Sequence, residues 1–155
     1  MTVQELIAHW RGKRQVLVDA LNLLPEDKLH WTPRPELWSV CQRALHVAGA
    51  EDGWLRHVLT GELDDWPAPY MGTGFLVEAF PTVAALQAHL AEVHARTEAY
   101  LRELSDADLA RTIETSWGQT YSLEEAFRYV LDHELHHRGE IFLMLGLLGI
   151  EAPGF

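Results

Sequence analysis

The chain has 155 residues, a formal net charge of −11 at pH 7, 48% hydrophobic residues and 23% charged residues. Such a length and balance predict one globular domain, residues 1–155, able to bury a core without staples. The acidic charge repels phosphate backbones and no basic stripe offsets it, which excludes a general nucleic-acid binder.

Cys41 is the single cysteine, so neither an intrachain disulfide nor a cysteine-based zinc site is available, and a reducing compartment is favoured. The opening MTVQELIAHWRGKRQ lacks the apolar segment of a signal peptide. No stretch approaches the ~18 uninterrupted apolar residues of a membrane span. The expectation is a soluble, cytoplasmic protein.

The first helix begins at a capping box, with Thr2 as cap and Glu5 reaching back. Leu6, Ile7, Trp10, Leu17, Leu21 and Leu24 follow at helical spacing, and Pro25 closes it. Pro33 and Pro35 break the chain before Ser39, the next cap, paired with Gln42. The second helix is predicted from Val40 to Thr60, with Gly61 just beyond its end. Residues 61–80 are rich in Gly and Pro and long enough to cross a bundle, so the second and third helices are predicted to run parallel. Thr82 opens the third helix, which continues to Leu104. An irregular stretch with a turn or hairpin at Trp117–Gly118 leads to a third capping box, Ser122 with Glu125. The fourth helix runs from Leu123 to Leu148, with Gly149 after it. The expected fold is all-α: a four-helix bundle with a long crossover between helices two and three.

The fourth helix contains LDHELHHRGEI, residues 131–141. Its apolar stripe passes through Leu123, Phe127, Val130, Ile141 and Leu145, and His137 lies on it. His133 sits about 40° away, one turn earlier, whereas His136 turns about 100° off. His133 and His137 are therefore an i, i+4 pair whose rings can meet at one point, the arrangement of helical metal ligands. The other reading is a pair of core histidines satisfied by carboxylates or backbone. Two such ligands do not complete a zinc-like centre. His46 and His57 on the second helix share a face about 16 Å apart, so only one can meet the fourth helix. Gly49, Ala50 and Gly53 follow His46, leaving room either for close packing or for a ligand. Periodicity does not choose His46.

WTPRPELWSVCQRALHVAGAEDGWL, TSWGQTYSLEEAF and LDHELHHRGEIFLMLGLLG, in this order and spacing, resemble the DinB/YfiT family of small metal-binding four-helix bundles. The resemblance implies an up-down-down-up topology and a triad of His46, His133 and His137 holding a divalent ion such as nickel or zinc. It also implies chemistry on small molecules. The family includes transferases and isomerases that use a low-molecular-weight thiol such as mycothiol or bacillithiol, damage-inducible stress proteins, and members without a known activity. Expected functions are thus conjugation of a thiol co-substrate to an electrophile, or hydrolysis of a small-molecule substrate. The alternative is a non-catalytic metal-binding or stress-related bundle. Members often pair as homodimers, a point the residues leave open.

Around the triad, Glu51, Asp132, Glu134 and Glu140 are the carboxylates able to orient imidazoles, and the pattern does not rank them. Arg138 reads as a surface arginine rather than an anion binder, and Cys41 as a small buried hydrophobe. Trp38, Trp54, Trp66 and Trp117 are pocket walls or, more ordinarily, core. His136 and His57 read as outward or structural. No catalytic residue is assigned.

Overall fold

The computed structural model of the protein describes residues 1–67 and 76–154; the middle of the long crossover lies outside the described residues. Four long helices make the fold: α1 (Val3–Asn22), α2 (Val40–Gly53), α3 (Val83–Glu103) and α4 (Leu123–Leu147). The three capping boxes all form, at Thr2 with Glu5, Ser39 with Gln42 and Ser122 with Glu125. Each satisfies backbone N–H groups that the first helical turn leaves without partners. Gly61 and Gly149 adopt φ of 65° and 76° after the second and fourth helices, a left-handed conformation that suits glycine.

The expected second helix is continuous to Leu59 but changes character. After Gly53 its last turn widens into a π-helix, Trp54–Leu59, closed by the Thr60 N–H donating to the Leu55 carbonyl at 3.0 Å. The stretch before α4 forms a small antiparallel hairpin, β1 (Thr112–Glu114) and β2 (Thr120–Ser122), with Ile113 opposite Tyr121. Gly118 turns it at φ 81°.

Paired side chains give the helix directions. Along α1 and α4, Trp10 meets Phe127 and Arg138 donates to the Lys13 carbonyl, so these two are parallel. Along α1 and α3, Arg11 meets Glu98 while Gln87 donates to the Val18 carbonyl, so they are antiparallel. Along α2 and α4, Arg43 meets Glu140 while Trp54 meets Tyr129, again antiparallel. The order is up-down-down-up, and α2 and α3 run parallel as expected from the long crossover.

Two apolar cores fill the bundle. One gathers Leu17, Leu21, Leu45, Leu86, Leu90, Ile141 and Leu145; the other gathers Leu6, Trp10, Leu101, Leu123, Phe127 and Leu131. Cys41 is buried in the first, as a small hydrophobe. Between the cores lies a polar layer contributed by all four helices. Arg14 of α1 donates to Glu51 of α2 at 2.6 Å and to Glu134 of α4 at 2.8 Å. Glu51 also accepts from His94 Nδ1 of α3 at 2.8 Å, and Glu134 accepts from the Trp10 indole at 2.9 Å. Each of these buried groups has an opposite charge or a hydrogen bond in hand, which offsets the cost of taking it out of water. Burial alone would raise the Glu51 carboxyl, yet Arg14 and His94 hold it down at about 2. No helix among the described residues is long and apolar enough to cross a membrane.

Candidate metal centre

The same polar layer holds the histidine cluster. α2 presents His46 in the antiparallel seam with α4, which presents His133 and His137 from successive turns. The His46 and His133 Nε2 atoms lie 3.0 Å apart. The His137 ring centroid is 4.7 Å from that of His46 and 4.5 Å from that of His133. One nitrogen from each ring falls within 4.8 Å of the other two. His46 and His137 are buried and His133 half-buried.

Protonation follows from the partners. Glu140 accepts a hydrogen bond from His137 Nδ1 at 2.6 Å. A carboxylate can only accept here, so Nδ1 carries the proton and Nε2 keeps its lone pair. Burial pushes the His133 imidazole down to about 3, with His137 and His46 adding to the effect, so the ring is neutral at physiological pH. Burial also lowers His137, against the opposing pull of Glu140. Burial would raise Glu140 itself, but the hydrogen bond from His137 and the nearby Arg43 guanidinium hold it low.

The donor set fits a divalent cation. The His46 and His133 Nε2 atoms, at hydrogen-bond distance, are satisfied either by one proton or by a shared cation, and the His137 imidazole faces them. The His133 Nδ1 atom is buried without a hydrogen-bond partner among the described residues, so no neighbour holds that ring in one tautomer. A second cluster, His136, His137 and Glu140, overlaps the first through His137. Its His136 is exposed, and its Glu140 is already engaged by Arg43 and His137.

The other expected positions resolve individually. Trp38 packs edge-on against His46, with ring centroids 5.0 Å apart, and lies 6.5 Å from His137. It is a wall of the site. Of the four carboxylates, Glu140 meets a triad ring, Glu51 and Glu134 belong to the buried ion network, and Asp132 is exposed. His57 is structural, its Nδ1 bonded to the Leu63 carbonyl at 3.0 Å. Gly53 is small for packing, because a Cβ there would sit 2.3 Å from the Trp66 ring.

Arg138 corrects the surface reading. It is only 5% exposed, bonded to the Lys13 carbonyl and lying 5.6 Å over the Phe142 ring. Its position at the edge of the stripe lets its stem pack inward between α1 and α4. The sequence offers His94 as one more candidate ligand and Arg14 as one of the basic residues of the first helix; their place in a buried ion network was not read from it. A signal existed: Arg14 continues the Trp10, Leu17, Leu21 stripe, and His94 the Leu90, Thr97, Leu101 stripe. A polar residue at a stripe position is a buried polar residue that needs partners.

Among solved structures, a DinB-like protein from Bacillus cereus superposes with a TM-score of 0.78 at 18% identity, covering 99% of this chain and 97% of that one. YfiT from Bacillus subtilis, described as a probable metal-dependent hydrolase with an unusual four-helix bundle topology, gives 0.68 at 20% identity, covering 96% and 89%. A mycothiol-dependent maleylpyruvate isomerase gives 0.64 at 19% identity, covering 91% of this chain and 61% of that one. At these identities the likeness establishes the fold. No curated protein sequence matches significantly. The DinB superfamily pattern matches residues 9–141, most of the chain, and the protein belongs to the DinB superfamily.

Proposed function

We propose that His46, His133 and His137 hold one divalent cation, nickel or zinc, and that the protein transfers a low-molecular-weight thiol to a small electrophile. The observation that carries this reading is the convergence of three imidazoles in a half-buried seam, one of them fixed by Glu140. When bound, the ion supplies Lewis acidity and draws a thiol toward its thiolate, the nucleophilic form. Three neutral ligands leave its charge unreduced, which strengthens that pull.

The chain's own residues hold and orient. Glu140 keeps His137 in the tautomer that points Nε2 into the site, and Arg43 holds Glu140 in place. Trp38 shields one side of His46 from water. The Arg14 network locks α2 and α4 in the register that brings the rings together. In the transfer, the sulfur forms a bond to the electrophilic carbon, the leaving group departs with its electron pair, and the thiol proton passes to solvent. The mycothiol dependence of the isomerase relative supports the thiol. The description of YfiT favours a second reading, in which water is the nucleophile.

Elemental analysis of untagged protein purified without chelators, beside His46→Ala, is the first test. We expect about one divalent ion per chain, lost in the variant. A well-folded protein that holds no ion and takes up neither zinc nor nickel overturns the metal site. Thiol conjugation at the uncatalysed rate in metal-loaded protein overturns the transferase reading. Ester or amide hydrolysis would then support the second reading, and neither activity would leave a metal-binding bundle without turnover.

A further inference from the structure

The α2–α4 seam that holds the triad continues into a cluster of aromatic rings. Trp54 is its hub, with Tyr129, Tyr121, Trp117 and Trp66 at centroid distances of 5.4, 5.6, 5.8 and 6.5 Å. Four separate pieces of chain deliver these rings. Trp54 opens the wide last turn after α2, and Tyr129 stands on α4. Trp117 and Tyr121 come from the hairpin, and Trp66 from the crossover, seated against Gly53. The hairpin lies outside the four helices, and its turn offers one large apolar side chain, Trp117.

Position ties the cluster to the triad. Tyr129 is four residues before His133, one turn of about 6 Å along the same face of α4. Trp54 is eight residues after His46, and α2 runs antiparallel to α4, so both rings lie toward the same end of the seam. The separation of about 6–12 Å along the seam is the span of a one- or two-ring molecule.

A purely structural aromatic cluster closes over its rings. Here Trp54 is buried, but Trp117 is 45% and Tyr129 51% exposed. Exposed large rings around a buried one, beside a cluster of chemically able groups, are the make-up of a ligand site. Aromatic rings stack or meet edge-on with other aromatic rings and add energy beyond area burial. The net charge of −11 disfavours anionic ligands.

We infer that Trp54, Trp117 and Tyr129 form a shelf that binds a planar, uncharged aromatic group, and that this group is part of the electrophilic substrate. The substrate role rests on the transferase reading above; the binding does not.

The probe is 1,3-dinitrobenzene, flat, neutral and unreactive toward thiols. It is titrated into the full-length protein while the indole N–H resonances are followed by NMR, the Trp117 signal being identified with Trp117→Phe. We expect saturable shifts of the Trp117 and Trp54 signals, unchanged in His46→Ala. Tyr129→Ala, at an exposed position, should keep the wild-type melting transition and weaken binding about fivefold, whereas Tyr129→Phe should bind like wild type. In activity assays, Tyr129→Ala should raise KM for 1-chloro-2,4-dinitrobenzene and leave KM for iodoacetamide unchanged. Absence of saturable shifts, or shifts confined to other indoles, overturns the shelf. Shelf binding with no conjugation of either electrophile refutes the transferase reading and leaves the shelf standing. Equal KM changes for both electrophiles overturn the substrate role.

Discussion

The Nε2 atoms of His46 and His133 stand 3.0 Å apart although 87 positions separate them in sequence. At that distance the two ring nitrogens share either one proton or one cation. His137 and its Glu140 partner complete one side of that arrangement.

Metal uptake should discriminate between adjacent histidines. His137→Ala removes an inward ring and should abolish high-affinity zinc or nickel binding, whereas the exposed His136→Ala should keep it. Thermal unfolding of stripped protein checks this. At about 100 times Kd, a bound ion stabilises the fold by about 2.7 kcal/mol. The rise in Tm should appear in wild type and His136→Ala only. Equal rises in both variants contradict the triad.

Glu140→Gln tests the orienting hydrogen bond. The amide can still accept from His137 Nδ1 but carries no charge for Arg43 to hold. Metal affinity, measured by competition with a chromophoric chelator, should fall about 10- to 100-fold while the unfolding transition stays cooperative. An unchanged affinity would show that His137 is positioned by packing alone.

Arg14 should matter for stability far more than its count of contacts suggests. Arg14→Met leaves Glu51 and Glu134 buried without their cation. The cost should be about 3–5 kcal/mol in urea unfolding. The double variant Arg14→Met with Glu134→Gln should recover part of it, because one uncompensated charge is removed. A cost under about 1 kcal/mol for Arg14→Met would mean that water reaches the carboxylates.

The same network sets an acid limit. The Glu51 carboxyl, ordinarily near 4.5, is held at about 2 in the fold by Arg14 and His94. Between those values the unfolded chain binds more protons than the folded one. The stabilisation is therefore complete above about pH 4.5 and is lost as the pH falls toward 2. The urea midpoint should drop between about pH 5 and 3 more steeply in wild type than in Glu51→Gln. Parallel profiles would remove Glu51 as the titrating group.

Much of the architecture was legible in the chain because it is encoded locally. A cap and the residue three positions on satisfy each other within one turn, so Thr2 with Glu5, Ser39 with Gln42 and Ser122 with Glu125 mark helix starts without reference to the rest of the molecule. The i, i+4 relation of His133 and His137 is equally local, as is the outward turn of His136. The widened turn at Trp54–Leu59 and the burial of Arg138 left no such mark, because both depend on what packs against the helix.

By itself, the sequence determined four helices, their starts, the long second connection and the inward pair on the last helix, since each follows from backbone hydrogen bonding or helical periodicity. The family resemblance named His46, which periodicity did not choose; the tertiary structure brings it rather than His57 to that pair, sets Glu140 against His137 on the same helix, and ties Glu51 to Glu134 through Arg14. The reason is physical: the pairings between helices depend on the register of α1, α2 and α4 against one another, and register comes from packing among residues far apart in the chain, which no local pattern carries.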